Sequence, residues 1–244
     1  MNKRLVATAV VSLSVAAACA VLVVLTSVTG WVDGDYLSWA APRRICAASL
    51  WTKKAGPGEL RTIDLEWRGS DAVKVNIPAR VHYQPGPKAQ ASVSGDAELV
   101  GHVRMRDGTL ESDTTDDCFP AGDLVVQLSG PAVQEWTMHG SGKLDLSDIK
   151  QDTLRIAVHG SGAVTASGEV HDVSLHATGS GRADLSRLVI QQVSARISGS
   201  GEADLAPREE ADISISGSGG VRLYGSAARI HSHVSGSGRI KQVL

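Results

Sequence analysis

His139 and His159 each stand directly before a Gly-Ser-Gly triplet, and His231 and His233 lie two residues apart near the end of the chain. If each triplet closes one turn of chain, His139 and His159 sit one turn apart, near enough to share a transition metal. Two imidazoles are too few, because structural zinc takes four ligands and catalytic zinc three plus water. The same column continues as Thr178, Ser198, Ser216 and Ser235, which are poor ligands. Asp145, Asp184 and Asp204 each fall a fixed step after a triplet, but Thr165 breaks that column, and the period is about twice that of the calcium-binding nonapeptide repeat. Paired acids such as Asp145/Asp148 or Asp116/Asp117 have the residue types for glycoside chemistry. No long loop accompanies them to wall a cleft, and after Trp136 the only aromatic residue is Tyr224. A Gly-x-Ser-x-Gly nucleophile elbow and a His-Glu-x-x-His pair are both absent. The expectation is therefore a non-enzyme with no catalytic, cofactor-binding or metal residues and no cofactor, its polar columns forming ladders on a solvent face.

The elements that position these columns follow from the triplets. Six copies run along the second half: Gly140-Ser141-Gly142, Gly160-Ser161-Gly162, Gly179-Ser180-Gly181, Gly199-Ser200-Gly201, Gly217-Ser218-Gly219 and Gly236-Ser237-Gly238. Their first glycines step by 20, 19, 20, 18 and 19 residues. A fixed period of that size marks a stacked-coil solenoid. Two residues before each triplet stand Met138, Val158, Ala177, Ile197, Ile215 and Val234; four before, Trp136, Ile156, Leu175, Ala195, Ile213 and Ser232; six before, Gln134, Leu154, Val173, Val193, Ala211 and Ile230. Mostly polar residues lie between, which is the alternation of a strand with one buried face. A second apolar alternation follows each triplet, as in Leu144/Leu146, Val164/Ala166 and Ala183/Leu185.

Each turn is thus expected to hold roughly two strands and two corners, giving an all-β, right-handed parallel β-helix or β-solenoid of ~19-residue Gly-Ser-Gly coils, with rungs roughly 4.8 Å apart. The glycines supply corner conformations that cost other residues strain, and the serines are placed to hydrogen-bond at the corner and from coil to coil. A phosphate-cradling loop does not fit, because no helix or lysine follows in the pattern of a P-loop.

Composition bounds the partners. The 244-residue chain carries a net charge of −2 and no basic patch interleaved with aromatics, so nucleic acid is not an expected partner. Asn2-Lys3-Arg4 precedes an uncharged run from Leu5 to Val28, long enough to cross a bilayer. Residues 1–29 are read as one N-terminal transmembrane anchor or uncleaved signal, a single membrane span with the rest outside the inner membrane, in the periplasm; secretion after cleavage is the alternative. Residues 30–59 form a juxtamembrane linker, and 60–244 the solenoid, with 60–130 as irregular N-terminal coils or cap and 131–244 as regular repeats. Cys46 and Cys118 both fall in the exported part, where a disulfide between them is plausible. The chain stops at Leu244 soon after the last triplet, and the final rung is expected to offer unpaired strand edges, a route to self-association that Arg239 and Lys241 would blunt.

From about Ile63 the sequence resembles the bacterial head GIN domain, described as an autotransporter-adhesin head of unknown function. The resemblance is carried by Ala72-Val73-Lys74-Val75, by the segment from Ala91 to Val100, by Val103-Arg104-Met105-Arg106-Asp107-Gly108-Thr109-Leu110, and by the repeats of the type Ser198 to Leu205. It implies an exported envelope protein of right-handed β-helical architecture and suggests adhesion, but brings no catalytic residues. With nothing after Leu244 to make an outer-membrane barrel and an N-terminus read as an inner-membrane anchor, the expected role is a periplasm-facing binding module for an envelope protein or glycan. A self-assembling structural protein and a polysaccharide-acting enzyme are the alternatives.

Overall fold

The computed structural model describes residues 59–114 and 123–243, all within the unit Ala48–Leu244. The regular part is built from long strands that bend. β9 (Lys143–Gly160), β10 (Ala163–Gly179), β11 (Arg182–Gly199) and β12 (Glu202–Gly217) each make almost a full turn and pair in parallel with the next. β8 (Glu135–Gly140) begins the stack; β13 (Gly220–Tyr224), β14 (Arg229–Gly236) and β15 (Arg239–Val243) end it. The two strands expected per turn are therefore one continuous strand. Its first half lies in one wall, called here the front, and its second half in the other, the back. Inward columns meet between the walls: Leu144, Val164, Ala183, Ala203 and Val221 from the front, and Ile156, Leu175, Ala195 and Ile213 from the back, are all buried. Just before β8 the buried place belongs to Val133 rather than Gln134, which is exposed.

One corner joins back to front and holds the Gly-Ser-Gly triplets. Here the main chain bonds from rung to rung. The Ser161, Ser180, Ser200, Ser218 and Ser237 N–H groups donate to Gly140, Gly160, Gly179, Gly199 and Gly217 oxygens at 2.8–3.0 Å. The serine side chains are exposed, and it is their amides that stitch the corner. The first glycine needs φ of +111° at Gly179 and +116° at Gly199. A Cβ there would also lie 2.5 Å from the Gly160 oxygen and 2.6 Å from the Gly179 oxygen respectively. The second glycines face inward and are equally tight: a Cβ on Gly181 would meet the Gly162 oxygen and Val158 Cγ1, both at 2.8 Å.

The opposite bend absorbs the variation in repeat length. Between β9 and β10, Leu146 pairs with Ala166 and Ile149 with Gly168, so two residues oppose one. The next pair has the same imbalance, with Asp184 opposite Thr165 and Arg187 opposite Ser167. These are β-bulges, in which an extra residue bends the strand without shifting the rest of the ladder.

The N-terminal part, expected as irregular coils or cap, combines parallel rungs with antiparallel strands. β2 (Ala72–Val75) and β3 (Arg80–Pro85) form a rung on β8 and β9. The rung beyond it is β6 (Thr109–Ser112) and β7 (Val125–Gly130), which come later in the chain. The β2–β3 rung is therefore inserted between two later ones. Antiparallel strands cover the outer edge: β4 (Gln90–Asp96) on β7, β1 (Leu60–Leu65) on β4, and β5 (Val103–Arg106) on β6. The one-turn helix α1 (Ala97–Val100), capped by the Asp96 carboxylate, follows β4 and buries Val100. Large side chains fill this end: Trp136, Tyr83 and Trp67 are buried, and the Tyr83 and Trp136 rings lie 5.0 Å apart.

The expected transmembrane helix is corrected: no helix among the described residues is long and apolar enough to cross a membrane. The segment assigned to it, and Cys46 and Cys118, lie outside the described residues.

The corner geometry generates a graded prediction. Replacing Gly179 by Ala combines backbone strain with a collision and should cost at least about 2 kcal/mol, whereas Gly140→Ala should cost only about 1 kcal/mol, because nothing lies within 4 Å of its Cβ position. Urea unfolding of the two variants checks this; equal losses would place the corner's demand in φ alone.

Candidate binding faces

Outward residues of the back wall stack in register. One column runs His139, His159, Thr178, Ser198, Ser216 and Ser235; the next includes His176, Arg196, Ser214 and His233. The His139 and His159 rings are stacked with centroids 5.0 Å apart, and the His176 ring meets His159 edge-on at 6.0 Å. The sequence placed the first pair together; the third arrives on the diagonal, one rung on and two residues back. No group of three or more His, Cys, Asp or Glu side chains among the described residues is arranged to hold a metal ion. His231 and His233 lie on β14, whose outer side has no neighbouring strand among the described residues.

The front wall carries a more charged column: His82, Asp145, Thr165, Asp184, Asp204, Arg222 and Lys241. Asp145 accepts from Thr165 Oγ1 and faces His82 Nδ1 at 3.2 Å. Asp184 and Asp204 are direct neighbours, a like-charge step relieved on both sides. Asp204 is nearly buried and receives two bonds from the Arg222 guanidinium, one of them 2.7 Å from Nη2. That carboxylate holds the Arg222 proton more firmly than usual. Asp184 turns to its own strand, accepting from Ser186 Oγ at 2.6 Å and Ser186 N–H at 3.1 Å. The Ser186 hydroxyl, then its amide, with help from Arg187 and Arg182, hold the Asp184 carboxyl below its ordinary range against the opposing effect of burial. Arg182 also pairs with Glu202 in the neighbouring column. Asp145 is engaged by His82 and Thr165, and Asp148 accepts from Gln84 Nε2 at 3.0 Å.

Where the front wall passes into the antiparallel strands, its outer face forms an open cleft of about 600 Å³. Its polar lining includes Asp64, His82, Gln84, Gln90, Ser92 and Gln127. Sequence reasoning missed these residues. They sit at alternate positions of separate strands, and only the pairing of β1, β4, β7 and β3 brings them to one surface. A smaller cleft of about 310 Å³ on the back wall includes Arg155, Asp172, Gln192 and Glu210.

The family described as "Putative auto-transporter adhesin, head GIN domain" matches residues 70–227. The chain belongs to the head GIN domain family. Among solved structures, this head GIN domain is similar to a putative adhesin from Bacteroides fragilis, at 19% identity and a TM-score of 0.60, covering 76% of this chain and 97% of the other. It is also similar to a putative lipid binding protein from Parabacteroides distasonis, at 20% identity and a TM-score of 0.50, covering 78% and 98%. Likeness at that identity speaks for the fold. No curated protein matches.

The Asp184 arrangement carries a pH prediction. A carboxyl whose folded pKa is depressed adds stability above its unfolded value, about 3.9, and loses it as pH falls through the folded value. In the head GIN domain, Ser186→Ala removes the leading cause. The variant should therefore lose less stability than wild type between about pH 6 and pH 3, measured as urea midpoints. Identical slopes would show that Ser186 does not hold the charge.

Proposed function

We propose that this head GIN domain is a non-catalytic, adhesin-like binding module of the bacterial cell envelope. The observation that carries the reading is the pair of outward walls, whose polar side chains stand in register at strand spacing over a core filled by aliphatic and aromatic side chains. Repetition of this kind makes an extended recognition surface. A role in holding lipid finds no support in the walls, whose inward side chains fill the space between them, while the front-wall cleft is open and largely polar in lining. The test is retention of envelope fragments from the producing bacterium on immobilised full-length chain. Saturable retention that persists in moderate salt, without turnover of envelope polysaccharide, is expected. Turnover lost on replacing a specific acid would replace the binding reading with an enzyme.

A second reading, self-assembly through the last rungs, is favoured by one observation. Among the described residues β14 and β15 each pair on one side only, and Ile230 and Val234, inward by column, are 38% and 39% exposed. Such an edge is a template for strand pairing. Association through it would appear as a concentration-dependent rise in mass by ultracentrifugation, abolished by Lys241→Pro. A monomer at all concentrations would remove this reading.

A further inference from the structure

We infer that the cleft on the outer face of the front wall is a site for a neutral glycan chain, held by side-chain amides and hydroxyls. The inference rests on the binding-module reading and gives it a place and a ligand class.

The cleft is a grid of two columns. One runs Asp64, Ser92, Gln127 and His82 across β1, β4, β7 and β3. The other runs Gln90, Ser129 and Gln84 across β4, β7 and β3, with Ser147 also in the lining. Three strand steps make the first column roughly 14 Å long, and two residues along a strand set the columns about 7 Å apart. That footprint is elongated, as a chain ligand requires.

The chemistry of the lining selects among ligands. Each glutamine amide offers two donors and an acceptor, and each serine hydroxyl is both donor and acceptor. Sugar hydroxyls have the same dual character, so a hydroxyl-rich chain can satisfy a grid of this kind along its length. Three glutamines on three adjacent strands, Gln90, Gln127 and Gln84, supply the amides, and all three are exposed. Half-buried Leu65 and Ala89 in the lining give a small apolar strip for the C–H face of a ring.

Other occupants fit less well. No lysine or arginine lines the cleft. The one basic side chain, His82, is already against Asp145, and Asp64 adds negative charge, so an anionic polysaccharide or a phosphate is disfavoured. The cleft lies on the face of the sheet, where the main chain of β4 and β7 is paired on both sides, so a peptide cannot add as a strand. The exposed polar lining offers no deep apolar pocket for a peptide's anchoring side chain.

The test uses full-length chain immobilised against envelope fragments that are untreated, periodate-treated or protease-treated. Periodate cleaves vicinal diols and leaves most protein surfaces able to bind. The expected result is retention that survives protease, is lost after periodate, and falls at least tenfold in a Gln84→Ala/Gln127→Ala variant of unchanged thermal midpoint. Ser194→Ala on the back wall should retain normally. Retention that survives periodate, or that the double variant keeps in full, overturns the glycan site while leaving the binding module standing. No retention by wild type in any arm overturns both.

Discussion

The whole solenoid depends on the close approach of main chain at one corner. Successive rungs meet there through serine amides donating to glycine oxygens at 2.8–3.0 Å, and the space a Cβ would take at Gly179 or Gly199 is already filled by the oxygen of the rung below. A side chain at these places would push the rungs apart, and the inward columns would lose the contact that buries them. Each bond alone contributes about 1 kcal/mol. The larger consequence is geometric, because the corner sets the common spacing at which Leu175 rests on Ile156 and Ile213 on Ala195.

The opposite bend is free to vary because the corner is not. Extra residues in a turn appear as bulges around Ser147 and Asp148, or around Leu185 and Ser186, and both walls stay in register on either side of them. The charged column of the front wall depends on this constancy. Asp184 and Asp204 are brought side by side by the stacking, and their local partners, Ser186 and Arg222, make the juxtaposition tolerable. A satisfied, nearly buried Asp204 is thus a product of register rather than of any special loop.

The repeating half was legible in sequence because its information is local and periodic. The triplets mark one corner, and inward residues such as Ile156, Leu175 and Ile213 announce themselves by alternation. The rest was legible only in part. The second bend has no fixed residue, since a bulge can be made by Asp148 in the left-handed region in one turn and around Leu185 and Ser186 in another. The serines were read as hydroxyls when their amides carry the contact. The strand order of the first half is not legible in sequence, because which strand lies beside β2 is decided by residues more than thirty positions away, Thr109 and Leu110 on one side and Glu135 to Met138 on the other. The cleft was invisible for the same reason: Gln84, Gln90 and Gln127 gain meaning only once β3, β4 and β7 are known to be neighbours.

That insertion has a mechanical consequence. The strands that follow β1 in sequence, β2 and β3, are gripped on one side by β6 and β7 and on the other by β8 and β9. Tension applied at the N-terminal side of the domain cannot strip rungs off one at a time in sequence order. After β1 yields, the load reaches a rung held by two ladders at once, and all of those bonds resist together. A stack whose C-terminal rungs can peel singly is in this way closed at its N-terminal side by a clasp, and a load entering from that side would meet, once β1 has yielded, a rung held on both sides.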